Sequence, residues 1–422
     1  MISIACCAPL PAGTSPGADT GIASHTLSTA APVDTSPQAL IDLAPAARLA
    51  LLALALASLP LSWLWLRQRR ADTGQRMIAL TALTLFLTID LIVFGAFTRL
   101  SDSGLGCPDW PGCYGQVSPL GAIKDIVAAH TAAPGGPVSW SKAWIEMIHR
   151  YLAMTVGVLI LVMTVAAWLQ RGRLRISPWW PTLTLLWVLI QGLFGKFTVT
   201  LKLYPAIVTL HLLGGLLLLV LLAVQLTRLS GKSLALPGPL RVGAWAVAGL
   251  LFLQLALGGW VSTNYAVLAC TGFPQCNGQW WPEMDFGNGF TLLRGLGEAG
   301  SGGVRTVASM VAIHMAHRLV ALPLTLALLA LAWGLWRSRT QAPALGRFGA
   351  GLAALLCLQV ASGLSNVVLG WPLVAALSHS AGAAGLVLCM TLLLARSGAR
   401  AVTPQAPQVP QAPQDPHGAG TA

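Results

Sequence analysis

Charge is what this chain lacks. Only 9% of its 422 residues are charged, and 13 Asp and Glu face 25 Lys and Arg. A water-soluble domain carries roughly a quarter of its residues charged, so the natural solvent for most of this surface is lipid. The acidic clusters that build a di-iron carboxylate centre in a helix bundle are missing too. The basic residues form no stripe and sit in short loops, which excludes a nucleic-acid partner and fits the positive charge of cytoplasmic loops. Large apolar residues are sparse in residues 1–45, and residues 400–422 carry repeated "PQAP" units, so both segments are expected to be disordered.

What the chain has instead is apolar length. Hydrophobic residues make up 55% of it, and the mean hydropathy is +0.71. Runs of about 20 apolar residues can span a bilayer, and nine occur, near 48–66, 77–98, 145–169, 179–200, 205–227, 241–262, 306–336, 346–370 and 372–395. The first lacks a preceding basic stretch and is followed by "RQRR", as befits a retained helix rather than a signal peptide. "RQRR", "RGRLR", "RLSGK", "RSR" and "ARSGAR" follow spans one, three, five, seven and nine, so the positive-inside rule places these loops in the cytoplasm. The expectation is an all-α, multi-pass protein of a bacterial inner membrane, embedded in the lipid bilayer.

The last eight spans repeat. "EMIHRYLA" (146–153) matches "HMAHRLVA" (314–321) at an offset of 168, and "QGLFGKFTV" matches "QVASGLSNV" at the same offset. His211 matches His379 in that register, while "CPDWPGCYG" matches "CTGFPQCNG" at an offset of 163. An even number of spans per unit gives both copies the same sense, the parallel-repeat arrangement. The fold class expected is therefore an eight-helix bundle of two four-helix units, residues 77–228 and 240–396, plus an extra N-terminal transmembrane helix within 46–70.

Five histidines fall inside predicted spans: His149, His211, His314, His317 and His379. His130 lies in a loop, and His25 and His417 lie in the tails. Ionisable groups within a bilayer are expensive and mark function. His149, His211, His317 and His379 occupy the early turns of the second and fourth helices of their units, all entering from the periplasmic side. Opposed imidazoles at similar depth suit axial ligation of a haem iron. Zinc would want further N, S or O ligands; Glu146 offers one in the first unit, so that alternative stays open.

The units differ at the position three residues before the first histidine, where Glu146 answers to His314. Residues i and i+3 share a helix face, so Glu146 is a candidate acid or base beside whatever His149 binds, or a structural partner of Arg150 or Arg99. Arg99, Arg150 and Arg318 lie near the periplasmic ends of spans, placed either to bind haem propionates or to snorkel. Asp90 and Lys196 lie deeper and could pair with each other. Cys357 and Cys389 read as small core residues. On the oxidising side of the membrane the C-x5-C loops can persist as disulfides, serving as staples or as thiol–disulfide chemistry.

Together, "GAFTRLSDSGLGCPDWPGCYG", "EMIHR", "TVTLKLYPAIVTLHLLGG", "HMAHR" and "SNVVLGWPLVAALSHSAG" resemble the haem A synthase family of bacterial and mitochondrial inner membranes, over about residues 80 to 395. The resemblance implies oxidation of a methyl group of haem O to a formyl group, giving haem A for terminal oxidases. It implies that His149 and His211 bracket the substrate haem O, for which Arg150 and Arg99 are then the positional candidates at the propionates. It further implies that His317 and His379 hold a haem b cofactor, with Arg318 the corresponding candidate, that Glu146 is catalytic, and that Cys107 and Cys113 form a disulfide. Cys270 and Cys276, and the first span, depart from the common pattern of the family. The expected partners are haem O, a haem O synthase and oxidase assembly factors; a homo-oligomer is left open.

A two-haem membrane cytochrome b relaying electrons from quinol is the alternative reading, but it would place one haem toward each face, whereas all four histidines lie toward one. A parallel-repeat transporter would need a polar path to the cytoplasm, which the Leu-, Val- and Ala-rich inner halves do not offer. The topology has a direct check. Alkaline phosphatase fused after Ser118 should be active and a fusion after Gly172 inactive; the reverse pattern would invert every assignment of side.

Overall fold

The computed structural model describes residues 44–297 and 304–398, and within them every regular element is helical apart from two isolated bridges. The expected disordered ends lie outside the described residues, save where α1 begins. In chain order the helices are α1 (Ala44–Arg67), α2 (Thr73–Leu100), α3 (Ile123–Ala132), α4 (Trp140–Leu169), α5 (Trp179–Thr200) and α6 (Pro205–Ser230). They continue with α7 (Gly238–Thr263), α8 (Phe286–Gly289), α9 (Val307–Arg337), α10 (Pro343–Val368) and α11 (Leu373–Gly398). Among the described residues nine helices, all but α3 and α8, are long and apolar enough to cross a membrane.

Local chemistry sets the helix ends. The Asp72 carboxylate accepts the Gln75 N–H at 2.8 Å and starts α2, while Thr306 accepts the Ser309 N–H at 3.2 Å and starts α9. Pro205 and Pro343 occupy first-turn positions of α6 and α10, where a missing N–H does no harm. Gly231, left-handed at φ 63°, ends α6. Hydropathy puts the last break at residue 371, and the chain turns there, over Gly370 and Trp371, both with positive φ, after α10 ends at Val368.

The packing order is regular. α2 packs on α4, α4 on α5, α5 on α6 and α6 back on α2; likewise α7 packs on α9, α9 on α10, α10 on α11 and α11 on α7. In each ring the histidine-bearing helices, α4 with α6 and α9 with α11, stand at opposite corners. The rings meet through α6 with α7, α2 with α11 and α6 with α11, and α1 lies outside against α4.

One continuous core, including Leu159, Ile160, Met163, Leu219, Leu222, Leu328, Leu335 and Leu352, fills the ends of the rings next to the basic loops. Lipid offers apolar side chains no escape from water, so helix association rests on close packing and buried hydrogen bonds. Gln225, fully buried, donates to the Thr81 hydroxyl at 3.0 Å, and that hydroxyl donates to the Met77 carbonyl at 2.8 Å. Two smaller apolar clusters seat the cysteine loops on α4, through Ala143 and Met147, and on α9, through Val311 and Met315. The opposite ends of the rings are thus left for a site.

At the α9–α10 crossing a Cβ on Gly349 would stand 2.7 Å from the Ala332 carbonyl oxygen, whereas one on Gly249 would meet nothing within 4 Å. Gly349→Ala should destabilise the protein by about 1–3 kcal/mol, read as a lower thermal midpoint in detergent, and Gly249→Ala should leave the midpoint unchanged. Equal midpoints for both would show that the crossing is not tightly packed.

Candidate functional site

The four histidines stand in the first turns of their helices. His149 and His317 lie nine and ten residues past the starts of α4 and α9, and His211 and His379 six residues past the starts of α6 and α11. At 1.5 Å per residue these are depths of about 14–15 Å and about 9 Å along each helix. All four are half-buried. His149 and His211 are close enough to interact electrostatically across the first ring, and so are His317 and His379 across the second.

Each imidazole lies against a glycine of a neighbouring helix. A Cβ on Gly95 would stand 2.9 Å from His149 Nε2, and one on Gly258 would stand 3.0 Å from His317 Cε1. Gly195 and Gly363 face the Cε1 atoms of His211 and His379 at 3.6 and 3.2 Å on the same construction. The absence of a side chain at these four positions is what lets the rings sit between helices. The Phe94 ring also lies nearly parallel to His149, with centroids 6.5 Å apart.

Over each ring folds a cysteine loop. Cys107–Cys113 and Cys270–Cys276 are bridged, with sulfurs 2.08 and 2.02 Å apart. Each loop closes through a two-residue turn with both φ positive, Tyr114–Gly115 and Asn277–Gly278, flanked by paired backbone bonds from Cys113 to Gln116 and from Cys276 to Gln279. Such turns favour Gly and Asn. Asp109 accepts the N–H groups of Tyr114 and Gly115 at 2.6 and 2.7 Å in the first loop, whereas the Asn277 side chain accepts the Thr271 N–H at 2.9 Å in the second.

An arginine fastens each loop to its helix. Arg150, largely buried, donates to the carbonyls of Asp109 at 2.9 Å, Pro111 at 3.3 Å and Gly112. Arg318 donates to the carbonyls of Cys270, Gly272 and Gln275 at 3.4, 3.1 and 3.3 Å. One turn earlier, Glu146 accepts from Arg150 at 2.5 Å and from the Cys107 N–H at 2.8 Å. Its counterpart His314 accepts from Arg318 Nε at 3.2 Å. The carboxylate is thereby fixed on the His149 helix, one turn toward the loop.

Arg99 is engaged elsewhere. It donates to the Ser262 carbonyl at 2.7 Å, lies 3.9 Å over the Tyr265 ring and pairs with Asp102 at 3.4 Å, while the Tyr265 hydroxyl donates to Asp102 at 2.6 Å. This latch ties the end of α2 to the end of α7. Asp90 and Lys196 do not pair: α2 and α5 occupy opposite corners of their ring, and Asp90 lies on the exposed face of α2 in line with Phe86. His130 sits on α3, with Nδ1 3.3 Å from the Val138 carbonyl. Cys357 is exposed and Cys389 half-buried, so neither is fully in the core.

Some of this had no signal in the sequence reading. Asn264 Oδ1 accepts from both Arg294 and Arg305, at 2.9 and 2.7 Å. Burial, and then Arg294 beside it, pull the Arg305 guanidinium down to about 10, so it stays charged at neutral pH. The four glycines could have been found, since Gly95 and Gly258 obey the 163-residue offset and Gly195 and Gly363 the 168-residue one.

A sequence model of the COX15-CtaA family, described as a cytochrome oxidase assembly protein, matches residues 78–391. The chain belongs to the COX15-CtaA family. It is 40% identical over 322 residues to a protein named heme A synthase from Shewanella oneidensis, covering 74% of this chain and 94% of that one. Heme A synthases of Methylobacterium nodulans (31% over 334 residues, 74% of this chain and 88% of that protein) and Caulobacter vibrioides (27% over 342 residues, 76% and 96%) match as well. The four histidines, Glu146 and both cysteine loops lie inside the family match, and α1 lies outside it.

The arginine clasps make a measurable claim. Removing the guanidinium leaves buried carbonyls unpaired, at about 1–3 kcal/mol. Arg150→Ala should therefore speed hydrogen exchange of residues 107–116 about ten-fold or more, and Arg318→Ala that of residues 270–279. Unchanged exchange would mean that the bridge and turn alone hold the loop.

Proposed function

We propose that this protein is a haem A synthase, an oxidoreductase that converts the methyl group of haem O to a formyl group and so supplies haem A to terminal oxidases. Family membership and relatives bearing that name support the reaction. The observation that carries the site is the pairing of imidazoles across the corners of each helix ring, each imidazole set against a glycine of a neighbouring helix.

The residues fit a haem. Two facing imidazoles in each ring would suit a haem iron as ligands. Among the described residues His211 Nδ1 is buried without a protein partner, and no three His, Cys, Asp or Glu side chains gather as a small-metal centre would need. On this reading His317 and His379 hold a haem b, and His149 and His211 hold the substrate haem O. A haem b bound there would supply one-electron redox chemistry to its neighbour. The two rings are taken as the two copies of a parallel repeat, supported by their matching packing order, and residues 77–228 and 240–396 as the substrate and cofactor units. α1 is an added span, and the cysteine loops are assigned to the periplasmic side on the strength of the basic loops opposite.

Turning a methyl into a formyl group removes four electrons from carbon and releases protons. Glu146, held by Arg150 and the Cys107 N–H, stands one helical turn from His149 and is assigned the acceptance of a proton from the reacting methyl and stabilisation of the positive charge that develops there. The clasped loop above keeps bulk water from that carboxylate. Of the three arginines near the loop ends of these helices, Arg99 and Arg150 are paired with Asp102 and Glu146. Arg318 is the one without a carboxylate partner among the described residues, so it would be the candidate for a propionate. Haem O synthase and oxidase assembly factors are the partners that such a substrate and product require.

Glu146→Gln keeps an acceptor for the Cys107 N–H and removes the proton-accepting charge. The variant should bind haem normally and convert less than about 1% of haem O, since a positioned acid–base group contributes 10²–10⁴-fold, read by pigment extraction and chromatography. Full conversion by this variant would remove Glu146 from the mechanism.

A further inference from the structure

An imidazole that ligates iron uses one ring nitrogen, and the other is normally an N–H donating to a fixed acceptor that sets the tautomer and raises ligand basicity. The two rings differ in this respect. Ser362 Oγ lies 2.6 Å from the Leu358 carbonyl and 3.1 Å from His379 Nδ1. The shorter contact takes the hydroxyl proton, so the serine oxygen is left to accept from His379 Nδ1–H. That fixes the tautomer in which Nε2 carries the free lone pair. Gln359 donates to the His379 carbonyl at 2.9 Å, which holds the same turn. On the facing corner the Gln254 amide donates to the His317 carbonyl at 3.1 Å and lies 3.1 and 3.3 Å from the ring nitrogens.

In the first ring both partners are apolar. At the 168-residue offset the counterpart of Ser362 is Phe194, and at the 163-residue offset the counterpart of Gln254 is Leu91. Among the described residues His211 Nδ1 is accordingly buried with no partner, and the ring beside His149 is Phe94. No hydrogen bond from the described residues sets which nitrogen of either histidine bears the proton.

We propose that Ser362 is a positioning residue that fixes His379 as a basic ligand and makes the second ring a permanent haem site, and that Phe194 in its place leaves the first ring with a weaker ligand pair from which haem exchanges. This rests on the haem reading above. It accounts for how one fold holds one macrocycle as a cofactor and releases another as a product. Affinity is divided by the partners behind the ligands, since the ligands are the same.

The test uses the full chain purified with its haem. The readouts are haem loss to excess apomyoglobin, the midpoint potential of the resident haem and its low-spin electron paramagnetic resonance signals. Ser362→Ala should lose haem about ten-fold faster or more. Its potential should rise, because a less basic imidazole favours the ferrous state less poorly, and its resonance positions should shift. Ser362→Thr, which keeps the hydroxyl, should restore all three. Phe194→Ser should do the converse for the first ring, with haem O or haem A co-purifying where the parent protein releases it. If Ser362→Ala leaves loss rate, potential and resonances as in the parent, or if Phe194→Ser does not raise retention, the inference is overturned while the haem reading stands. A parent protein that is colourless after expression with ample haem overturns the haem reading itself.

Discussion

An imidazole inside a helix bundle needs room, and in lipid that room cannot be made by letting water in. Here it is made by glycine. Gly95, Gly195, Gly258 and Gly363 each remove the side chain that would occupy the space beside a histidine, and the rest of the site depends on that omission. With the rings of His149 and His211, or His317 and His379, accommodated between neighbouring helices, each pair can face across a ring of four helices. The leucine-rich ends of the same helices pack into one continuous core.

Above the histidines the problem is different. A loop lying over a membrane site carries carbonyl groups that no regular structure pairs, and buried carbonyls need donors. Arg150 and Arg318 each supply several donors from one planar group, at equivalent places on α4 and α9. The bridge alone would close the loop without saying where it sits. The guanidinium says where, and the residue one turn earlier is where the rings differ: a carboxylate in one, an imidazole in the other.

Much of this was legible in the sequence. The apolar spans, the histidine register and the contrast of Glu146 with His314 all follow from hydropathy and offset, because membrane helices state their length openly. Three things were not legible. Which helices are diagonal depends on packing order, so the nearness of Asp90 and Lys196 in depth said nothing of their distance. The clasps were hidden because an arginine at a membrane end reads equally as a propionate ligand, a snorkelling side chain or a loop fastener. Ser362 was hidden because a serine in a small-residue helix carries no signal until its hydroxyl is seen spent on Leu358.

The latch of Arg99, Asp102 and Tyr265 and the contact of α6 with α11 join the rings face to face, much as two subunits of a symmetric dimer would meet. In a dimer of identical chains every mutation lands in both pockets, so neither could turn into a cofactor seat without the other following. On the proposed reading of the rings as two copies joined in one polypeptide, that bond is lifted, and divergence at Glu146 and His314, or at Phe194 and Ser362, becomes open to each half alone.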